Sequence, residues 1–495
     1  MAPQMLSPSH LTPARQTAGL PRRPTRGGAA LVLGLGWAVV FSLLGWLALL
    51  SVLPYQSYGL AAIVSAFVVL PALGLWCIAK AGSQGGGFLV VMVVLLILLS
   101  DLSVRGAATG IDAQSVVKFA IWVSGLLLLP WRFDVVRQAS GNLPTLALLM
   151  FGLWALLGTV YSITPVYTFA AALGFLGMWV LAVVFAASCD PRRGLLWVNA
   201  TLLAMSVASL LLWVVAPGVA MVDYENATVV RLGGIFGNAN QVGSIAALAL
   251  LLSFVVWFQK PNRAGGLLLL LALPACAACL LMSQSRTSMF GAAAGVFVVV
   301  LRRHPWLLLP TVPLGVTLAA IALAYPEAID FLIGLVARGG NVAQVTNFTG
   351  RTEIWQFVTS EIAKAPVLGH GFASTRELFL KGHVFAWGWT TNSAHNLWLQ
   401  AWVTTGAVGL GLVLANQLAS LKALVLQPMA VRDGLLAYFI ATGLLEAGPV
   451  GPTVSVLTFV WIWASALSLE SQPADDLNVH HAPTAAARRA TGRRP

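Results

Sequence analysis

The chain alternates between long apolar runs and short polar segments, and one polar segment is much longer than the others. Apolar runs of roughly 20 residues suit helices that cross about 30 Å of hydrocarbon. Continuous apolar runs favour helices over half-buried strands. The two shortest runs, 288–301 and 434–447, leave twelve or thirteen spans as alternatives to fourteen. The fourteen predicted spans are 29–53, 57–79, 87–104, 115–131, 143–161, 166–188, 194–217, 240–258, 265–283, 288–301, 306–325, 395–419, 434–447 and 453–470.

The pattern predicts an all-α polytopic membrane protein with about 12–14 transmembrane helices and one large polar loop that contains short helices. Pro, Arg and Ala dominate both polar tails, which favours disorder, and the first apolar run is read as an uncleaved span. The predicted regions are a disordered cytoplasmic tail at 1–28, a transmembrane bundle at 29–325, a periplasmic loop at 326–394, the last transmembrane helices at 395–470 and a disordered cytoplasmic tail at 471–495.

Composition and charge support the membrane interpretation. Of the 495 residues, 58% are hydrophobic and only 9% are charged, with a net charge of +12. The basic residues form short clusters between apolar runs, as topology signals do, so nucleic acid is not an expected partner and membrane lipids are. With a cytoplasmic N-terminus, 19 of the 28 basic residues fall on the inner side, and the long loop lies outside the cytoplasmic membrane.

The four cysteines, Cys77, Cys189, Cys276 and Cys279, lie in or beside predicted spans and not in the long loop. No structural disulfide is therefore predicted. Cys276 and Cys279 match C-x-x-C, but an apolar helix without a second pair favours small core residues over a metal or redox site.

Two arginines on the predicted outer face are candidates for anion binding. Arg286 lies between two apolar runs with almost no loop, and an arginine at that depth is either functional or a snorkelling anchor. Arg351 begins a stretch in which Ile354, Val358 and Ile362 share one helical face, with Phe357 beside them. A basic residue in a first turn opposes the helix dipole, which fits a bound anion; the alternative is a solvated surface arginine.

The segment before the eighth span supplies weaker candidates. Arg231 and Asn240 flank three glycines that permit tight backbone, and Asn238 or Asn240 can cap the helix that follows. An outward helix N-terminus is a ready anion site. The simpler interpretation is a capped helix with a flexible lead-in.

His395 is the candidate base, since a histidine near neutral pKa can take a proton from a hydroxyl. It begins the predicted helix at 395–419, where the chain re-enters the membrane, and a purely structural role is the alternative. Asn396, beside it, and His370 are weaker candidates, and His383 is weaker still. The three histidines lack the short pairing of a helical zinc site, so no metal and no cofactor are predicted.

Several short motifs together resemble the O-antigen ligase and polymerase superfamily. They are Ser283-Gln284-Ser285-Arg286, Gly350-Arg351 with Trp355, Gly369-His370-Gly371-Phe372, Ala394-His395-Asn396 and, upstream, Gly234-Ile235-Phe236-Gly237-Asn238-Ala239-Asn240. The resemblance covers about residues 230–415. It implies a GT-C-like membrane enzyme of the cell inner membrane with a periplasmic active site.

The resemblance also implies the chemistry. An undecaprenyl-diphosphate-linked glycan would be the donor, with its diphosphate on Arg286 and Arg351. His395 would deprotonate an acceptor hydroxyl, giving inversion without a metal. The acceptor is a further glycan unit in a polymerase, which the motifs around Arg286 and Arg351 favour, or lipid A-core in a ligase. Machinery for polysaccharide export is a further expected partner.

Two other classes of function remain as alternatives. A transporter or flippase usually carries charges in mid-membrane or internal repeats. Here only Glu446 and Lys118 fall within predicted spans, and Glu446 is interpreted as a helix-end residue or a group that supports the site. A purely structural assembly partner would not need arginine at the outer interface.

Overall fold

A computed structural model describes residues 86–102, 113–223, 230–259, 263–324, 351–382 and 391–469. The predicted spans 29–53 and 57–79, both predicted tails and residues 325–350 and 383–390 of the long loop lie outside the described residues. In the described part, regular structure is helical apart from one two-stranded antiparallel ribbon. The prediction of an all-α polytopic membrane protein is confirmed.

The helices are numbered along the described chain. They are α1 Gly86–Ser100, α2 Ala113–Ser124, α3 Phe133–Ser140, α4 Leu143–Leu157, α5 Pro165–Ser188, α6 Pro191–Val215, α7 Pro217–Ala220, α8 Ala239–Gln259, α9 Arg263–Ser283, α10 Arg286–Arg303, α11 Leu308–Ala324, α12 Arg351–Lys364, α13 Thr375–Gly382, α14 Leu397–Leu426, α15 Ala430–Gly443 and α16 Val456–Ala466. The ribbon pairs β1 Met221–Val222 with β2 Arg231–Leu232. Short 3₁₀ segments occupy Gly125–Trp131, Gly158–Val160, Gly234–Phe236, Pro305–Leu307, Gly448–Val450 and Leu467–Leu469.

Six helices of the described chain are long and apolar enough to cross a membrane, or seven if a bent pair is one span. The bent pair turns by 99° between Lys118–Trp131 and Phe133–Ser140. Pro130 lies in the 3₁₀ segment before this bend, where its missing N–H and fixed φ oppose a continuous α-helix. Shorter apolar helices at Leu89–Ser100 and Val456–Ala466 correspond to two further predicted runs.

Two of the predicted helix ends that differ from the structure lie at the candidate site. The helix predicted to begin at His395 begins at Leu397, because the side chain of Asn396 caps it by accepting from the amides of Trp398 and Leu399. The span predicted for 434–447 ends at Gly443, so Glu446 lies outside the helix. Hydropathy extended the 434–447 span because Leu444 and Leu445 continue the apolar run past Gly443, and it does not detect the Asn396 cap that sets the start of the other helix.

The loop after α12 is anchored in the helical core by one aromatic side chain. Phe372 is 1% exposed and packs edge-on against Phe151 of α4 and Phe175 of α5, with ring centroids 5.6 and 6.0 Å away. Gly371 has φ +105°, and a Cβ on it would lie 2.0 Å from the Ser162 hydroxyl oxygen. The Gly-His-Gly-Phe motif therefore docks the loop on the bundle.

A second apolar cluster holds α12 beside the start of α14. Ile354, Val358 and Ile362 are buried on one face of α12, as their spacing predicts, against Phe379 of α13 and Val403 of α14. The Trp355 indole donates to the carbonyl oxygen of Ala394 at 3.0 Å. This packing places the first turn of α12 close to His395.

α14 is broken at Gly406, which has φ +68° and ψ −171°. A break frees carbonyl groups in the preceding turn, and buried carbonyls need new donors. The loop after α12 and the Trp154 indole supply these donors. The bonds are His370 N to Val403 O at 3.0 Å, Gly371 N to Thr404 O at 2.8 Å and Trp154 Nε1 to Thr405 O at 2.8 Å.

The other end of the bundle carries a buried ionic cluster. Asp433, at the start of α15, is fully buried and contacts Arg302 at 3.0 Å and Arg432 at 2.8 Å. Both arginines also donate to carbonyl oxygens in the last turns of α14, at Ala423, Leu424 and Gln427. The cluster thereby satisfies the carbonyl groups that a helix C-terminus leaves unpaired.

Candidate functional site

The Glu446 carboxylate joins several of the candidate residues. Its Oε1 accepts from Arg351 Nη2 at 2.7 Å and from Asn240 Nδ2 at 3.1 Å. Its Oε2 lies 3.1 Å from Nδ1 of His395. One carboxylate thus contacts the candidate anion ligand Arg351 and the candidate base His395 at once.

Arg231 extends this network on the β-ribbon side. It is buried, with Nε donating to the Ser283 carbonyl oxygen at 2.8 Å and Nη2 donating to Asn240 Oδ1 at 2.7 Å. Asn240 therefore bridges Arg231 and Glu446 through the two atoms of its amide. The simpler interpretation of this segment, a capped helix, also holds. Asn238 caps α8 by accepting from the amides of Asn240 and Gln241.

Arg286 is the first residue of α10 and follows a tight turn. Gln284 in that turn has φ +49°, and Gly243 approaches so closely that a Cβ would lie 2.4 Å from the Ser285 Cβ. The positive charge of Arg351 acts on Arg286. Nη2 of Arg286 is buried and has no hydrogen-bond partner among the described residues, a costly arrangement unless a ligand supplies one.

His395 is held in a backbone conformation that residues with a Cβ seldom adopt. Its φ is +47°, which costs of order 1–2 kcal/mol for a non-glycine residue. Fixed neighbours impose it: Trp355 binds the Ala394 carbonyl, the Gln400 side chain accepts from the Ala394 amide at 2.8 Å, and Asn396 caps α14. The strain aims the imidazole at Glu446.

The hydrogen bonds of the His395 ring assign distinct roles to its two nitrogens. With the carboxylate of Glu446 accepting from Nδ1–H, Nε2 is left as the acceptor. The Thr391 hydroxyl oxygen lies 3.2 Å from Nε2. Nε2 therefore faces a hydroxyl group, which is the kind of group a base at this position would act on.

Four helix N-termini converge at the site. α8, α10, α12 and α14 begin at Ala239, Arg286, Arg351 and Leu397, next to or at the residues of the network. The positive end of the helix dipole at each N-terminus favours anions, while Asn238 and Asn396 already accept from the first amides of α8 and α14. The helix ends and the three arginines thus act in the same direction.

Glu446 is kept ionised by this surrounding positive charge. Burial raises the pKa of the Glu446 carboxyl, but the charge and hydrogen bond of His395 and the charges of Arg351 and Arg231 outweigh burial, so the net pKa lies below its ordinary value. The side chains of Arg351, Glu446 and His395 are 15%, 18% and 21% exposed, respectively. Partial exposure leaves the network open to a ligand while water screens it less than at the surface.

His370 and Asn396 have other partners. Nε2 of His370 donates to the carbonyl oxygen of Glu361 at 3.0 Å and lies 3.8 Å from Oε2 of the same residue. Asn396, besides capping α14, donates to the Leu444 carbonyl oxygen at 3.1 Å. It thereby ties the start of α14 to the segment that carries Glu446. Both residues position backbone, and none of these contacts reaches the arginines.

The described part of the chain offers no group of three or more His, Cys, Asp or Glu side chains that could hold a metal ion. Cys189, Cys276 and Cys279 are buried. Cys276 and Cys279 pack inside α9, in agreement with their interpretation as core residues.

Sequence reasoning left Glu446 as either a helix-end residue or a group that supports the site, and it gave Thr391 no role. Glu446 had one usable signal, a carboxylate at the outer end of an apolar run, where an ionised group needs a partner. Its partner Asn240 is 206 residues away along the chain, so no local pattern joins them. Thr391 lies in the polar segment before His395, where one hydroxyl group gives no signal in the sequence.

The fold and the site define a polytopic helical membrane protein with a carboxylate–histidine pair beside several arginines. Residues 267–414 match a family model described as O-antigen ligase. The match confirms the resemblance predicted from the motifs and supports glycosyl transfer of the O-antigen ligase and polymerase type. It includes Arg286, Arg351 and His395, whereas Arg231, Asn240 and Glu446 lie outside it. No curated protein matches the chain.

Proposed function

We propose that this protein transfers a glycan from undecaprenyl diphosphate to an acceptor hydroxyl, with inversion at the anomeric carbon, on the periplasmic face of the cell inner membrane. The observation that carries the proposal is that Arg351 and His395, far apart in sequence, both contact Glu446, while the charge of Arg351 also acts on Arg286. A base and an anion site that adjoin each other suit group transfer from a phosphorylated leaving group.

Charge supports a diphosphate as the anion. Three guanidinium groups, from Arg231, Arg286 and Arg351, are accompanied by one carboxylate, that of Glu446. The excess positive charge matches a diphosphate diester, which has one negative charge on each phosphoryl group. The unpartnered Nη2 of Arg286 is a ready donor to a phosphate oxygen.

The reaction then needs only groups already at the site. Nε2 of His395 takes the proton of the acceptor hydroxyl as its oxygen attacks the anomeric carbon. The bond between that carbon and the diphosphate oxygen breaks, and undecaprenyl diphosphate leaves with the electron pair. The arginines stabilise the charge that grows on the leaving group, and Glu446 stabilises the imidazolium that forms.

The residues around Arg286 and Arg351 lead us to favour repeat-unit polymerisation, in which the acceptor is another lipid-linked glycan. Ligation to lipid A-core is the second candidate, because the matching family model is described as O-antigen ligase. The chemistry at His395 is the same for both, and only the acceptor differs.

The proposal is tested with purified protein in nanodiscs, a synthetic undecaprenyl-diphosphate oligosaccharide and two acceptors offered separately. We expect a new glycosidic bond and free undecaprenyl diphosphate by mass spectrometry. Product with a second donor molecule identifies a polymerase, and product with lipid A-core identifies a ligase. In proteoliposomes, movement of intact donor across the bilayer without a new bond would instead identify a transporter.

A further inference from the structure

The arginine proposed to bind the donor is already bound to an internal anion. Nη2 of Arg351 donates to Oε1 of Glu446 at 2.7 Å, within the range of strong charge-assisted hydrogen bonds. By contrast, Nη2 of Arg286 has no partner among the described residues. A diphosphate that reaches Arg286 and Arg351 together must therefore compete with Glu446 for one of them.

The same carboxylate holds the proposed base through its other oxygen. Oε2 of Glu446 contacts Nδ1 of His395 at 3.1 Å. What happens at Oε1 therefore changes how strongly Glu446 can accept the Nδ1 proton. The state of the anion site and the state of the base are linked through one side chain.

On the basis of the proposed function, we propose that the donor diphosphate displaces Glu446 from Arg351. The release of Glu446 then activates His395. In the free protein, the charge of Arg351 and the hydrogen bond from Asn240 stabilise the carboxylate at Oε1, which leaves His395 a weaker base. When the diphosphate takes Arg351, the carboxylate charge is directed mainly at His395, and the imidazole binds a proton more tightly. The acceptor hydroxyl is then deprotonated only where a donor is in place.

The neighbouring charges act in the same direction. The charged groups that act on Glu446 are His395 before α14, Arg351 on α12 and Arg231 on β2. Asn240 fixes the carboxylate from α8. Arg231 remains near Glu446 through Asn240 when the diphosphate binds, which keeps the carboxylate ionised while Arg351 is withdrawn.

The first test measures donor affinity and turnover in Glu446→Gln. Because Glu446→Gln lacks the competing charge, this variant should bind undecaprenyl diphosphate more tightly, with a Kd roughly threefold to tenfold lower than in wild type. Its rate of transfer should fall roughly 10²-fold. A control, Glu377→Gln on α13, removes a carboxylate of the same loop and should change neither value. Unchanged or weaker donor binding by Glu446→Gln would overturn the proposal, since Glu446 would then only hold Arg351 in place.

The second test uses the wild-type protein and remains available if Glu446→Gln does not fold. The ¹⁵N and N–H proton signals of the His395 ring are assigned by their loss in His395→Gln and recorded with and without undecaprenyl diphosphate. We expect the Nδ1 proton signal to move downfield when the diphosphate binds, because its hydrogen bond to Glu446 strengthens, and an unchanged or upfield signal contradicts the coupling. If wild type binds no undecaprenyl diphosphate at all, the proposed function fails instead.

Discussion

The imidazole of His395 and the carboxylate of Glu446 are 51 residues apart in sequence and 3.1 Å apart in space. Because the carboxylate accepts the proton of Nδ1, the free nitrogen is Nε2, and it faces the Thr391 hydroxyl. The pair has the arrangement that general-base catalysis at a hydroxyl requires, with a third group that orients the base.

His395→Gln should still bind the lipid-linked donor yet fail to transfer it. Glutamine keeps a hydrogen-bonding side chain but does not take up a proton near neutral pH, so transfer should fall roughly 10²–10⁴-fold. Donor binding and single-turnover transfer are measured on the same preparation. The control is His304→Gln, because His304 follows the C-terminal end of α10, away from the end that carries Arg286. Full transfer by His395→Gln would make the residue structural.

Arg351→Lys and Arg286→Lys should each lose most donor affinity. Lysine keeps the charge but presents a compact ammonium in place of the planar fork that matches a phosphate. Arg303→Lys, at the far end of the helix that Arg286 begins, is the matched control. Titration with undecaprenyl diphosphate gives the affinities, and wild-type affinity in a folded Arg286→Lys protein would return Arg286 to the role of a membrane anchor.

Transfer should survive exhaustive treatment with EDTA. The proposed site neutralises the diphosphate with guanidinium groups, so a divalent cation is not needed for leaving-group stabilisation. The measurement is the transfer rate before and after chelation, and after adding back Mg²⁺ or Mn²⁺. A loss that either cation restores would contradict the arginine mechanism and direct attention to Asp101 and Asp223 on the same predicted face.

Gly406→Ala should destabilise the protein, whereas Gly411→Ala in the same helix should not. A Cβ on Gly406 would lie 1.9 Å from the Val367 carbonyl oxygen, and its φ is +68°, while a Cβ on Gly411 meets nothing within 4 Å. Strain alone costs of order 1–3 kcal/mol, and an unhindered Gly→Ala change in a helix gains up to about 1 kcal/mol. Thermal unfolding in detergent compares the two, and equal Tm values would contradict the break at Gly406.

The contribution of Glu446 to the stability of the folded protein should decrease when the pH falls. Its pKa lies below the ordinary value of 4.5, so the unfolded chain binds a proton at higher pH than the folded protein does. The stabilisation is therefore complete above pH 4.5 and is lost as the pH falls through the lower folded-state pKa. The Tm difference between wild type and Glu446→Gln should be constant at neutral pH and shrink below about pH 4.5. A difference that grows on acidification would contradict the ion pairs.

Hydropathy predicted most described helices because an apolar run of spanning length has few other stable forms in a membrane. The helix of Arg351 was also predicted, since Ile354, Val358 and Ile362 repeat at helical spacing. The bend after Pro130 and the break at Gly406 were not predicted. The carbonyl groups that a break frees are satisfied by donors that are distant in sequence, such as Trp154.

The candidate site was partly predictable for a similar reason. Arg286, Arg351 and His395 are conspicuous as polar residues on a face where charge is scarce. Glu446 was assigned to a helix because apolar residues precede it, and its function in the network depends on contacts with Asn240, Arg351 and His395 that only the folded chain creates. Residue type and hydropathy thus identified the cations but not the carboxylate that links them.

The arginines around Asp433 bear on any attempt to re-orient this protein in the membrane. Arg302 and Arg432 count among the basic residues by which the positive-inside rule sets topology, yet both also bind Asp433 and the last carbonyl groups of α14. Replacing them to invert a loop would leave a buried acid without its counter-ions, which typically costs 3–5 kcal/mol. A topology reporter fused at this loop in such a variant would therefore respond to misfolding as well as to orientation. The exposed Arg192 and Arg193 at the start of α6 can be replaced to change the charge alone.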